Sequence, residues 1–247
     1  MKRFEADRKL LIGTSGWSYD HWHGPFYPER VPREHWLEYY ARYFRSVEIN
    51  NSFYRLPSER TLRSWYDAVP ADFVFTVKAS RFITHMKKLK DAEQSVPAFL
   101  QRISALGDKL GPVLMQLPPH WHFNAQRLRS FLDSFSDDFS YTFEFRDPSW
   151  LNEQCYALLS EHNAAFCIYE LDGFQSPKAI TADFVYVRLH GPERAYQGSY
   201  ATRTLKNWAQ EFSRWHRQGL SVYCYFDNDQ FGYAAQNALE LKSIIEK

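Results

Sequence analysis

Tyr141-Thr142-Phe143-Glu144-Phe145-Arg146 is a short run of aromatic and β-branched residues, a helical pattern follows from Trp150 to His162, and a second run, Ala165-Phe166-Cys167-Ile168-Tyr169, comes next. Strand, helix and strand in such close succession is the rhythm of a β/α unit on a parallel sheet. The rhythm repeats in both directions. Upstream lie Leu10 to Thr14, Arg45 to Asn50, Phe73 to Lys78 and Val113 to Leu117, and downstream lie Phe184 to Leu189 and Ser221 to Phe226. Helical patterns span Arg33 to Tyr43, Glu59 to Ala68, Ser95 to Leu110, Ala125 to Ser134, Thr202 to Gln218 and Tyr233 to Glu246. The stretch around Pro177 to Ala182 is too short for more than one helical turn.

Eight strands with interposed helices predict a closed (β/α)8 TIM barrel forming a single domain over residues 1–247, with its core from about 10 to 246. An open doubly wound sheet would carry a Gly-rich phosphate turn after its first strand, and Gly13-Thr14-Ser15-Gly16-Trp17 lacks that pattern. Ser58 and Thr202 are placed as helix N-caps, while Gly111-Pro112 and Gly219 are placed as helix stops.

The chain of 247 residues is large enough for one such core, and its 45% hydrophobic and 24% charged content is that of a globular domain. Aromatic residues reach 18%, enough to line a binding surface as well as fill a core. A formal net charge of +1 excludes a global basic footprint for nucleic acid, so any such contact must be local. The three cysteines, Cys155, Cys167 and Cys224, form no C-x-x-C pair and suit free thiols in a reducing compartment. The charged start, with Glu5, Asp7, Arg8 and Lys9, lacks the apolar stretch of a signal peptide, and no apolar run has membrane-spanning length. The expectation is a cytoplasmic protein with no membrane partner; no protein partner is readable.

Side chains two apart in a strand point the same way, and this spacing puts polar pairs at four strand ends. They are Glu48 with Asn50, Glu144 with Arg146, Arg188 with His190, and Tyr225 with Asp227, separated by the apolar Ile49, Phe145, Leu189 and Phe226. Lys78 and Gln116 end two further strands in the same manner. Charges buried there must pair with each other or with a ligand, and the C-terminal face is where barrel enzymes build their chemistry. Three chemistries could use the set. Glu48, Glu144, His190 and Asp227 could hold a divalent metal as cofactor. Glu48 and Glu144 could form an acid/base pair, or His190 could be a lone base oriented by Asp227. The alternative is a structural network of arginine–carboxylate pairs closing the barrel top.

Two histidine pairs, His21/His23 and His120/His122, could hold a metal, but both fall in loops where the strand-spacing argument lapses, and exposed loop histidines flanking a packed Trp are the commoner outcome of such a pattern. The densest basic stretch, Lys78 to Lys90 with Arg81 and His85, should lie on the catalytic face, where Trp17, Trp22, Tyr54 and Phe82 could stack on bases or sugars. A solvated loop would look the same. Ser15 does not fit a nucleophile elbow, and Asp227-Asn228-Asp229 reads as a strand exit rather than a calcium loop.

Ile12-Gly-Thr-Ser-Gly-Trp17, Val47-Glu-Ile-Asn-Asn-Ser-Phe-Tyr54, Lys78-Ala-Ser-Arg81 with Thr84-His85, Gln116-Leu-Pro-Pro119, Glu144-Phe-Arg146, Val187-Arg-Leu-His-Gly191 and Tyr225-Phe-Asp-Asn-Asp229 together resemble the YecE-like family, domain of unknown function 72. The resemblance covers the chain from Ile12 to about Asn237. It implies a β/α barrel. Through the likeness of such barrels to metal-dependent nucleases acting on damaged DNA, it also implies phosphodiester or nucleic-acid ligands by analogy of fold. The resulting expectation is a hydrolase for an anionic, phosphate-bearing small molecule or nucleic-acid fragment. Glu48, Glu144, His190 and Asp227 would do acid/base or metal work, and Trp17, Asn50, Tyr54, Lys78, Arg81, His85, Gln116, Arg146, Arg188 and Asn228 would hold the substrate. A nucleic-acid or nucleotide binding module and a sugar or polyol isomerase or lyase are the alternatives.

Overall fold

The computed structural model describes residues 9–136 and 138–246. Residues 1–8, from which the lack of a leader was expected, lie outside the described residues. Eight strands form one parallel path: β1 (Leu10–Thr14), β2 (Ser46–Ile49), β3 (Val74–Lys78), β4 (Leu110–Leu117), β5 (Tyr141–Phe145), β6 (Ala165–Leu171), β8 (Phe184–Leu189) and β9 (Ser221–Phe226). The path runs β1-β9-β8-β6-β5-β4-β3-β2, and its two ends meet through a parallel bridge between Ser15 and Glu48. This is the TIM barrel read from the sequence, nearly closed. The two-residue β7 (Phe174–Gln175) folds back on β6 as an unforeseen hairpin turning at Gly173.

Helices α1 (Trp36–Tyr40), α2 (Glu59–Asp67), α3 (Ala92–Ile103), α4 (Ala125–Leu132), α5 (Glu153–Glu161), α6 (Thr202–Arg217) and α7 (Tyr233–Ile245) alternate with the strands. Their starts follow local chemistry, since Ser58, Asn124 and Asn152 each accept a backbone N–H at the head of a helix. Gly219, at φ +91°, follows α6 in the left-handed conformation. No helix among the described residues is long and apolar enough to cross a membrane.

Two expectations fail at helix ends. Thr202 is the first residue of α6 rather than its cap, and its hydroxyl instead donates to Glu240 at 2.6 Å. Gly111-Pro112 does not stop a helix, because the chain is already extended from Leu110. Between the pairs Phe75↔Leu110 and Val77↔Val113, β4 carries one residue more than β3. The resulting bulge suits a proline, which has no N–H to lose. A Cβ on Gly111 would sit 2.5 Å from the Val74 side chain, so only glycine lets the strands approach there.

Alternation divides the strand residues into two layers. Ile49, Phe145, Leu189 and Phe226 belong to the large cluster shared with the helices, whereas Leu114, Ala165, Cys167, Phe184, Tyr186 and Tyr225 form a separate cluster inside the barrel. The interior is partly polar. Ser46 and Tyr225 share a hydroxyl hydrogen bond of 2.5 Å, and Thr76 and Tyr186 share one of 3.0 Å. Above this layer sit the charges.

Candidate functional site

Arg188, the inward residue near the end of β8, occupies the centre of the barrel top with 1% of its side chain exposed. Its Nη2 donates to Glu48 Oε1 at 2.7 Å and to Asp227 Oδ2 at 3.2 Å, and its Nη1 donates to Glu144 Oε2 at 2.8 Å. Glu48 and Glu144 are wholly buried. Tyr186 donates its hydroxyl to Glu48 Oε2 at 2.6 Å, and Ser15 donates to the other oxygen. Gln116 Nε2 donates to Glu144 Oε1 at 3.0 Å, and Arg146 Nε donates to that same oxygen. Each glutamate is therefore saturated by donors.

His190 Nδ1 lies 2.9 Å from Asp227 Oδ2, and its Nε2 faces Arg146 Nη2 at 3.1 Å and Arg188 Nη1 at 3.3 Å. Nε2 also lies 3.5 Å from Glu144 Oε2, while Nδ1 donates to Asp227, whose carboxylate can only accept. Burial alone would raise the carboxyls of Glu144 and Asp227, but neighbouring cations overcome it. Arg146 and Arg188 hold Glu144 well below the usual carboxylate range, and Arg188 with the His190 hydrogen bond holds Asp227 down.

Lys78 differs from these partners. It ends β3 pointing inward, its ammonium lies 4.4 Å from the centre of the Phe53 ring, and among the described residues no carboxylate comes within ion-pair distance of it. Burial, followed by the charge of Arg188, lowers its pKa to about 8 against the pull of Glu144, Glu48 and Asp227. His85 stands on the following turn of the chain, packed edge-on against Phe53 and bonded to Thr84 at 2.9 Å. Burial and then the charges of Lys78, Arg81 and Arg146 lower its pKa to about 4.

The mouth is rimmed by rings and one thioether. Tyr54, Phe82, Met86, Phe174, Tyr196 and Phe231 all sit on segments that follow strand C-termini, and all are exposed. Beside the charged cluster, a cavity of about 1010 Å³ lies between the segment after β1 and helix α2, with Trp17, Tyr19, Asn50, Tyr54 and Trp65 among its walls.

The candidates separate into three groups. Glu48, Glu144, Arg188, His190 and Asp227 come together as the buried network; Lys78, Gln116, Arg146 and His85 border it, and Asn50 reaches it by donating to Ser15. Tyr54 and Arg81 stand exposed at the rim, and Trp17 is a buried cavity wall packed edge-on against Trp65 at 4.9 Å. Trp22 is wholly buried, so it cannot stack on a ligand. Asn228 turns away: its amide donates to Gly198 O at 2.8 Å and to Asn237 at 2.9 Å, tying a loop to α7. The residues do not fit a divalent metal. Among the described residues no three His, Cys, Asp or Glu side chains gather as a ligand set, because the Arg188 guanidinium takes the space between the carboxylates. Ser15 and Tyr186 were missed as members of the network; the period-two rows Leu11-Gly13-Ser15 and Tyr186-Arg188-His190 carried the signal.

A family model described as "Protein of unknown function DUF72" matches residues 11–247. The chain belongs to this family. Among curated relatives, the DUF72 chain is 33% identical to the UPF0759 protein YecE of Escherichia coli K12 over 57% of its own length, and the match spans half of the length of that protein. It is 23% identical to the UPF0759 protein YunF of Bacillus subtilis, covering 96% of this chain and 95% of that one. A DUF72 family protein from Thermotoga maritima superposes with a TM-score of 0.87 at 30% identity, covering 97% of this chain and 100% of that one. One from Enterococcus faecalis has a TM-score of 0.79 at 19% identity, covering 96% of each chain, and supports the fold alone.

Proposed function

We propose that the barrel mouth is an active site for a phosphate-bearing anion, with Lys78 as its proton-transfer group and Arg146 and Arg81 as its anion clamp. The observation that carries this reading is the Lys78 ammonium at the end of β3, set over the Phe53 ring with no carboxylate paired to it among the described residues, on the strand-end face that also carries Arg146 and, three residues on, Arg81. Such an arrangement favours an incoming anion. It supports a hydrolase in which neutral Lys78 takes a proton from an attacking water while Arg146 bears on the phosphoryl oxygens. Neither glutamate is free to act as an acid/base pair, since the oxygens of both are taken up by donors, arginine among them. The exposed rings at Tyr54 and Phe82 support a nucleic-acid-derived substrate. The cytoplasm is the proposed compartment, on the three buried, unpaired cysteines.

A second reading, the sugar isomerase or lyase, is favoured by the partly exposed position of Lys78 at the mouth. A binding module would use the same clamp without turnover. Calorimetric titration of chelator-treated protein with inorganic phosphate and AMP tests the clamp. One saturable site is expected, weakened at least tenfold by Lys78→Met or Arg146→Met and indifferent to added magnesium. Undiminished binding in both variants, or none in the wild type, would end the proposal. Release of p-nitrophenol from bis(p-nitrophenyl) phosphate would then separate hydrolase from binder.

A further inference from the structure

We propose that Lys78 is a carbonyl-reactive amine that condenses with the aldehyde or ketone of a phosphate-bearing sugar fragment. This rests on the reading of the mouth as an active site and names its substrate class.

Four observations converge on it. First, the cations of the buried network proper, Arg146 and Arg188, are paired with carboxylates, and the buried Lys109 is tied to the carbonyls of Tyr66 and Val69 at 2.6 and 2.8 Å. Lys78 has the Phe53 face beneath it, and among the described residues its amine is engaged by no carboxylate as a hydrogen-bond or ion-pair donor. Second, its backbone is fixed. The Ser52 hydroxyl donates to Lys78 O at 2.6 Å and Lys78 pairs in register with Leu114, so the stem leaves a rigid strand end rather than a loop.

Third, an amine attacks carbonyl carbon only when neutral, and a half-buried lysine in the field of an arginine sheds its proton more readily than one in water. With a pKa near 8, the neutral fraction at physiological pH is on the order of a hundredfold above that of a solvent-exposed lysine. Fourth, Arg146 follows the end of β5, two strands along the same barrel face from Lys78, and the exposed Arg81 stands three residues past the end of β3, so a phosphate held between them would present the remainder of a short molecule to the amine.

The step balances without an oxidant or reductant. The Lys78 nitrogen lone pair adds to the carbonyl carbon, and the C=O π pair moves to oxygen. A proton passes from nitrogen to that oxygen to give the carbinolamine. A second proton, from solvent at the open mouth, lets the oxygen leave as water, and the nitrogen lone pair closes a protonated imine. That imine would draw electrons from the adjacent carbon, which is what an isomerase or lyase needs.

The test is reductive trapping of the full chain at neutral pH with dihydroxyacetone phosphate or glycolaldehyde phosphate and borohydride, read by intact mass and peptide mapping. Unphosphorylated dihydroxyacetone is the control. A single adduct on Lys78 is expected, forming at least tenfold faster than with the control, suppressed by excess inorganic phosphate and absent in Lys78→Arg. Adducts spread over the exposed Lys88, Lys90 and Lys206, or an equal yield in Lys78→Arg, would overturn it. Calorimetry with phosphate on the same samples separates the two failures. Phosphate binding without a Lys78 adduct overturns the carbonyl chemistry and leaves the active-site reading standing, whereas neither binding nor adduct overturns both.

Discussion

Arg188 Nη1 donates to Glu144 Oε2 across 2.8 Å at a place where neither side chain has more than 1% of its surface exposed. The pair sets how the barrel top is held together. Desolvating the two ions costs several kcal/mol each, and the Gln116 and Arg146 donors to Glu144, with Glu48 and Asp227 accepting from Arg188, are what make the burial tolerable.

Glu144→Gln removes the charge that balances two arginines at once. The expected loss is about 3 to 5 kcal/mol, read as a fall on the order of 10 °C in thermal midpoint for a domain of this size. Arg188→Met should cost a similar amount, and combining the two should cost less than the sum. Strict additivity in a double-mutant cycle would show that the pair is not coupled.

Acid should attack the same network. Glu144 and Asp227 are held below their ordinary values, so the folded state binds fewer protons there than the unfolded one. Their contribution is complete above the usual carboxylate range and is lost as pH falls through the folded values, beginning below about pH 5. Urea unfolding from pH 7 to pH 3 should show stability dropping in the wild type and dropping less steeply in Glu144→Gln. Parallel curves would remove these carboxylates as the cause.

The barrel was legible because its strands repeat one pattern, and the inward assignment of Glu48, Glu144 and Arg188 followed from strand period alone. The pairing was not legible. Strand period gives the face on which a residue lies but no distances, so the sequence could not tell that Arg188 would stand between both glutamates and turn a metal-like set into an ion-paired plug. Asn228 failed for a related reason. It follows Asp227 past the end of β9, where strand alternation no longer governs direction, and its amide found Gly198 and Asn237 instead. Gly111-Pro112 was misplaced because a bulged strand start and a helix stop use the same two residues.

Gly13 marks the seam at which the barrel closes. A Cβ there would lie 2.1 Å from the Ser46 carbonyl oxygen, which is backbone and cannot swing aside. Gly13→Ala must push β1 away from β2, at about 1 to 3 kcal/mol for overpacking. Because the Ser15–Glu48 bridge lies two residues on, the same variant should weaken phosphate binding at the mouth. A thermal midpoint within a degree of wild type would show that the seam is slack.

Lys78 lets the cost of a poised amine be measured. Its folded pKa, near 8, lies below the unfolded value, so below pH 8 folding must bury an ammonium that water would rather keep. Above pH 8 the folded amine is neutral while the unfolded one stays charged until about pH 10. Stability attributable to this residue therefore rises across that interval and is lost as pH falls through 8. Lys78→Met keeps the apolar stem against Phe53 and removes the charge, so at pH 7 it should be more stable than wild type by on the order of 1 kcal/mol, or about 2 to 4 °C, allowing for partial solvent access. The advantage should shrink as pH rises from 8 to 10, measured in matched buffers by thermal denaturation. A Lys78→Met variant less stable than wild type at pH 7 would mean that the ammonium is held by favourable contacts, and an amine so held is a structural cation rather than a reactive one.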